Sequence, residues 1–263
     1  MLIDTHAHIH FEEFRNDLEQ VFENAQAASI KSIICVGTSD NDSREAVNFV
    51  LNYDVQKMAD SIKLFATAGI HPHEASLGED AFMSIKEMTQ NDDYEKVLVA
   101  IGECGLDYYK NFSSKSEQFR MLEWHLQLAQ ECNLPVVFHV RDAWEDFFAI
   151  LKSYPKTRGA IHSFTGHPEH VELAMKHNLY FGLNGIMTFT KDESQVAAAK
   201  IIPSNNLLLE TDCPYLSPAP MRGKRNEPSF VTYTAEYLAG IRNVSLAEFE
   251  NQTTQNAKDL FLV

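Results

Sequence analysis

A chain of 263 residues, 44% of them hydrophobic, can bury a substantial core, and its length fits one barrel-sized domain, residues 1–263, or two small ones. The formal charge of −15 excludes an overall basic face that releases counterions along duplex DNA, so a nucleic-acid role must rest on a local basic patch, on metal ions, or on short chain ends. Apolar runs of only strand length and Asp4 near the start argue against a membrane span or leader, and Cys35, Cys104, Cys132 and Cys213, without C-x-x-C pairing, read as reduced thiols, so the expectation is a cytoplasmic protein.

In chain order, eight strand-like runs stand out, most of them rich in β-branched residues: Leu2–Thr5, Ser32–Val36, Leu64–Ala68, Val97–Ile101, Pro135–Phe138, Gly159–Ile161, Tyr180–Leu183 and Leu207–Leu209. Helical patterns follow them, including Glu12–Ser29, Asp42–Tyr53, a stretch around Phe82–Thr89, Ser116–Cys132, Ala143–Ser153 and Pro168–His177. Ser114 to Glu117 and Asp142 to Glu145 have capping-box spacing, and Pro168 suits a first helical turn. After the eighth run a Pro-rich loop, Pro214–Pro228, leads to two further helices, the second opening at Ser245 with Glu248 three residues on. Strand alternating with helix eight times predicts a single (β/α)8 barrel with extra C-terminal helices. A doubly wound open sheet also alternates in this way, but it would place a Gly-rich turn after the first strand, where this chain has His6-Ala7-His8.

A lone His-x-His pair in a chain with 11 histidines is weak ground for a metal site. In a barrel, however, the chemistry sits where the strands end. The first strand ends in His6 and His8, the third in Gly69-Ile70-His71-Pro72-His73, and the fourth in Gly102-Glu103-Cys104-Gly105-Leu106-Asp107. The fifth ends in His139-Val140-Arg141, the sixth in His162-Ser163, and the eighth in Glu210-Thr211-Asp212. Period-two alternation puts Asp4, His6 and His8 on one face, and likewise Val99, Ile101 and Glu103, then Val137, His139 and Arg141, then Leu208, Glu210 and Asp212. Six inward groups thus meet at one rim: His6, His8, Glu103, His139, His162 and Asp212. They are too many for one catalytic zinc, which points to two divalent ions sharing a carboxylate. Asp4 and Glu210 fall one layer deeper, where carboxylates accept the second ring N–H of a ligating imidazole. His71 and His73, made irregular by Pro72, are expected to face substrate.

These motifs, from Asp4-Thr5-His6-Ala7-His8 through Glu210-Thr211-Asp212-Cys213-Pro214-Tyr215-Leu216 to Arg222-Gly223-Lys224-Arg225-Asn226-Glu227-Pro228, resemble the TatD family of metal-dependent deoxyribonucleases within the amidohydrolase-like barrels. They span nearly the whole chain in the expected order. Met221 and Cys213 depart from residues common in the family. The resemblance implies that His6, His8 and Asp212 hold one metal, that His139 and His162 hold the other, and that Glu103 stands between them. It further implies phosphodiester hydrolysis, of a 3′-5′ exonuclease kind on single strands, with DNA as the partner and no membrane or obligate protein partner. Asp212 serves as base and Glu103 as a catalytic ligand. Arg141, Arg222, Lys224 and Arg225 are expected to hold phosphates, supplying locally the positive charge that the chain lacks. Mg2+ fits phosphate chemistry, and the His-rich ligand set also suits Zn2+ or Mn2+. The same site could instead hydrolyse an ester or amide, such as a D-aminoacyl-tRNA. A barrel without catalysis would be expected to lack a ligand or a base, and none is missing.

Overall fold

Alternating branched apolar residues build eight strands, and in the computed structural model they form one parallel sheet in chain order. The structure describes residues 1–53, 62–110 and 112–263. The strands are β1 (Leu2–Ala7), β2 (Ile30–Val36), β3 (Lys63–Ala68), β4 (Leu98–Asp107), β5 (Val136–Arg141), β6 (Gly159–Ile161), β7 (Tyr180–Leu183) and β8 (Leu207–Leu209). Ala7 bridges Cys213 just past β8, and the His8 and Asp212 amides donate to Cys213 O and His6 O at 2.8 Å each. The first and last strands thereby meet, and the sheet closes into the expected barrel.

Helices α1 (Leu18–Ala27), α2 (Asp40–Asn52), α3 (Gly78–Thr89), α4 (Lys115–Cys132), α5 (Trp144–Leu151), α6 (Pro168–Met175) and α7 (Glu193–Ile201) surround it, followed by α8 (Val231–Arg242) and α9 (Leu246–Phe261). The predicted Glu12–Ser29 helix is divided, because Phe14 turns into the core from a short 3₁₀ turn before α1 begins. The Ser114–Glu117 capping box forms. The Asp142–Glu145 box does not: Asp142 takes a left-handed φ of 53°, and Ala143 becomes the N-cap. The sequence pattern passes over α7, whose alanine-rich face has little apolar contrast, yet Asp192 caps it by accepting from Ser194 N at 2.8 Å.

Two apolar layers share the strands. Leu2, Cys35, Ala66, Ile101, Phe138, Ile161 and Leu209 pack outward against the helices. Ile3, Ile34, Val36, Val99, Val137, Ala160 and Leu208 fill the barrel, joined by Ala257, Leu260 and Phe261 of α9. The last helix therefore plugs the end of the barrel opposite the site.

Strict alternation fails in two strands. Asp4 pairs with Ile33 and Ala7 with Cys35, so β1 carries an extra residue, and Ile3 as well as His6 ends up inside. In β4, Ala66 and Thr67 pair with Leu98 and Ala100, and Ile101 and Cys104 pair with Val136 and Phe138. Ile101 consequently faces the helices, correcting its expected face, while Glu103 still turns inward. The bulges re-aim the ligand-type side chains.

Candidate metal centre

The carboxylates of Glu103 and Asp212 stand among five imidazoles at the C-terminal rim. Glu103 Oε1 lies 2.9 Å from His139 Nδ1, 3.5 Å from His71 Nε2 and 4.0 Å from His162 Nε2, while Oε2 lies 3.3 Å from His6 Nε2. Asp212 Oδ1 lies 3.4 Å from His8 Nε2 and 3.7 Å from His6 Nε2, and Oδ2 lies 3.9 Å from His162 Nε2. His6 and His162 stack with ring centroids 3.5 Å apart. Asp212 holds its place in the left-handed region, at φ 58°, an uncommon conformation for a non-glycine residue beside a site.

Of the expected ligands, His8 and His139 have their outer nitrogen hydrogen-bonded, and His162 turns its own toward a carboxylate. His8 Nδ1 donates to Val36 O at 2.8 Å, His139 Nε2 to Asp107 Oδ2 at 3.1 Å, and His162 Nδ1 lies 2.9 Å from Glu210 Oε1. That leaves His8 Nε2, His139 Nδ1 and His162 Nε2 directed at the centre, the arrangement that orients metal-binding histidines. Both ring nitrogens of His6 are buried and have no hydrogen-bond partner among the described residues. A buried polar group left without a partner is costly, so the donor set fits a cation. His6, His8 and Glu103, His6, His162 and Asp212, and His71, Glu103 and His139 each bring one donor atom within 4.8 Å of the others.

Burial alone would raise the Glu103 carboxyl, but the imidazoles around it, His71 and His162 foremost and then His139 and His6, hold it well below the usual carboxylate range. Burial likewise opposes a charge on His162, yet Glu210, Glu103 and Asp212 outweigh it and push its pKa up to about 10. His6 is pulled down by burial and by the neighbouring His162. Glu103 and Asp212 are thus the negative groups of the cluster whose charge a cation would offset.

Two expected placements differ. Asp4 does not reach an imidazole ring; its carboxylate accepts from Thr211 N at 2.9 Å and Thr211 Oγ1 at 2.6 Å, because the β1 bulge turns it toward β8. It therefore anchors the residue that precedes Asp212. His71 does not line the open cavity. As N-cap of the turn Pro72–Leu77, it accepts from His73 N through Nδ1 at 3.1 Å, which points Nε2 at Glu103. Burial and His139 lower its pKa to about 3. His73 does line the cavity and shares Asp107 Oδ2 with His139, at 2.9 Å.

Asp107 is the residue that sequence reasoning passed over. It is fully buried, and the same carboxylate also accepts from Tyr109 N and Lys110 N. The signal available was its parity with Glu103, four residues earlier, but the fourth strand was expected to end at Ile101 and it runs to Asp107.

A family model described as TatD related DNase matches residues 3–262. The chain is 40% identical over 266 residues to the uncharacterized metal-dependent hydrolase YabD of Bacillus subtilis, covering all of both chains. The chain belongs to the TatD family. Another member, the 3′-5′ ssDNA/RNA exonuclease TatD of Erwinia tasmaniensis, is 34% identical over 258 residues, 95% of each chain. The crystal structure of YjjV, a TatD homologue from Escherichia coli, superposes with a TM-score of 0.90 at 26% identity, over 100% of this chain and 98% of that one. This chain is accordingly a TatD-family metal-dependent hydrolase.

Beside the centre of this TatD-family barrel opens a cavity of about 930 Å³, reached by His73, His139, His162, Asp212 and Arg141. The arginines of the basic loop after β8, expected to hold phosphates, have partners within the protein. Arg225 pairs with Asp17 at 2.7 and 2.8 Å, donates to Glu13 O and covers the Phe14 ring. Arg222 donates to Ser217 O at 3.1 Å and stacks over Phe189 at 4.0 Å. Lys224 is exposed, and its carbonyl accepts from Ser217 Oγ. Neither these two arginines nor this lysine is among the cavity's lining residues; the guanidinium groups rest on Ser217 and Phe189 and on the segment before α1. Among the described residues, no helix is long and apolar enough to cross a membrane.

Proposed function

We propose that this TatD-family hydrolase cleaves the phosphodiester bonds of single-stranded nucleic acid from the 3′ end, using two divalent ions. The observation that carries the reading is the division of two carboxylates, Glu103 and Asp212, each turning its two oxygens to different imidazoles. Such a division suits two adjacent cations, one held by His6, His8 and Asp212 and the other by His139 and His162, with Glu103 between them. Divalent ions in this donor set supply Lewis acidity, neutralising phosphoryl charge and making water a nucleophile near neutral pH. Phosphate chemistry favours Mg2+ for turnover, and the imidazole-rich set also accepts Zn2+ or Mn2+.

The chain's own groups supply the rest. Burial would raise Asp212, but His162, His8 and His6 keep it ionised and able to accept the proton of the attacking water. Its position is set by Thr211, which Asp4 holds. Arg141 and His73 face the cavity where the scissile phosphate would sit. The 3′ polarity and the single-strand preference rest on the name of the Erwinia relative. Four free cysteines support a reducing, cytoplasmic setting.

The test is a time course on end-labelled single and double strands and on an aminoacyl ester, each with Mg2+, Mn2+ or Zn2+. Single strands should shorten progressively from the 3′ end. Hydrolysis of the ester alone, with every strand intact under every metal, would overturn the proposal in favour of ester or amide hydrolysis.

A further inference from the structure

The wall of the cavity on the β4 to β6 side holds two face-to-face pairs. The Arg141 guanidinium lies 3.9 Å over the ring of Tyr109, which is 56% exposed. Trp144, at the start of α5, stacks on His170 of α6 with centroids 4.6 Å apart and planes 20° from parallel. All four residues line the same cavity as His139, His162 and Asp212.

The Trp144–His170 pair is built to stay in place. His170 Nδ1 accepts from His167 N at 2.9 Å, which fixes the ring, and the edge of Phe164 backs Trp144 at 5.5 Å. Arg141 makes no ion pair among the described residues, so its charge is not already neutralised by a carboxylate. It is also the one arginine or lysine among the cavity's lining residues, which include Asp142, Asp192 and Asp212. A strand lying here cannot be gripped mainly by charge. Its affinity must come from its bases, and aromatic rings that are already ordered lose little freedom on binding them. A duplex keeps its bases stacked on one another and offers no free face to these rings.

We propose that Tyr109, Arg141, Trp144 and His170 form the path of an unpaired strand, in which Arg141 takes a phosphate and the Tyr109 and Trp144–His170 rings take bases. This rests on the nucleic-acid reading above, and it assigns the specificity for single strands to this wall rather than to the Arg222–Arg225 loop.

The test uses metal-loaded protein and a short phosphorothioate oligothymidylate, which resists hydrolysis. The two tryptophans separate cleanly, because Trp124 lies on α4 against Phe82. Titration should quench the fluorescence of Trp124→Phe protein and leave that of Trp144→Phe protein unchanged. Tyr109→Ala and Trp144→Ala should each raise the Kd for the single strand about tenfold, as expected for losing one stacked base. Tyr109→Phe should restore affinity to within twofold, and the Kd for duplex should not move in any variant. Because Tyr109 is exposed, its variants fold even if Trp144→Ala does not. Unchanged single-strand affinity in Tyr109→Ala, together with quenching retained in Trp144→Phe, overturns the path while leaving strand cleavage by the parent untouched. Tight, ring-dependent binding with no cleavage upholds the path and removes the nuclease reading instead.

Discussion

A histidine binds a cation through whichever nitrogen its other contact leaves free. Val36 O, Asp107 and Glu210 make that choice for His8, His139 and His162. Asp107→Asn should therefore lower metal affinity about 10–100-fold while leaving the fold intact, measured by metal titration; unchanged affinity would show that His139 needs no such partner. Glu103 reaches imidazoles on both sides of the centre, so Glu103→Gln should abolish turnover and lower the bound metal, read by elemental analysis of the purified variant. Full activity with undiminished metal would rule out its place between the ions. The six ligand-type residues were legible because each falls near the C-terminal end of a predicted strand, although in β1 and β4 a bulge rather than strict alternation decides the face. Asp4, His71 and Asp107 were not, because a bulge, a proline turn and an extended strand decide where their side chains go. A fourth case lies behind the rim. His125 is buried, accepts from Ile70 N at 3.0 Å and donates to Met121 O at 2.7 Å, and burial lowers its pKa to about 4. Its folded pKa lies below the unfolded value near 6.5, so its stabilisation is complete above about pH 6.5 and is lost as pH falls toward 4. The loss is on the order of 3 kcal/mol. Denaturant titrations should show wild type losing more stability than His125→Gln between pH 7 and 4.5, and equal losses would contradict this.

At the scale of elements, the eight strands were read almost in place, because branched apolar runs bounded by turns leave few alternatives. The basic loop after β8 was read correctly as a loop, and its arginines, expected to hold phosphates, already have partners within the protein. A row of cations in sequence says nothing of which carboxylate already holds them, and Asp17 lies 208 residues away from Arg225. Arg225→Ala should consequently leave the KM for oligonucleotides unchanged and lower stability by about 1 kcal/mol or less, since the pair is partly exposed. Steady-state kinetics and a thermal melt on one preparation decide the matter. A raised KM with an unchanged melting temperature would return the loop to the substrate.

The whole molecule is sealed at one end by α9 and open at the other onto a buried cluster of carboxylates and imidazoles, within a chain of net charge −15. Apolar contacts hold the sealed end whatever the solution contains. At the open end, Glu103 and Asp212 are kept ionised next to unpartnered ring nitrogens of His6, so a bound cation offsets repulsion and desolvation that the protein alone cannot remove. An ion that binds only the folded chain stabilises it by about 2.7 kcal/mol at a hundredfold excess over its Kd. In a chain of this size that corresponds to roughly 5–10 °C in melting temperature per filled position. Chelation should therefore lower the Tm of wild type by at least several degrees, and returning the metal should restore it. Glu103→Gln should show a much smaller response, because the group that joins the two halves of the centre is gone. If chelated and metal-loaded wild type melt at the same temperature, the cluster holds no ion tightly enough to matter to the fold, and its carboxylates must be balanced by protons on the histidines alone.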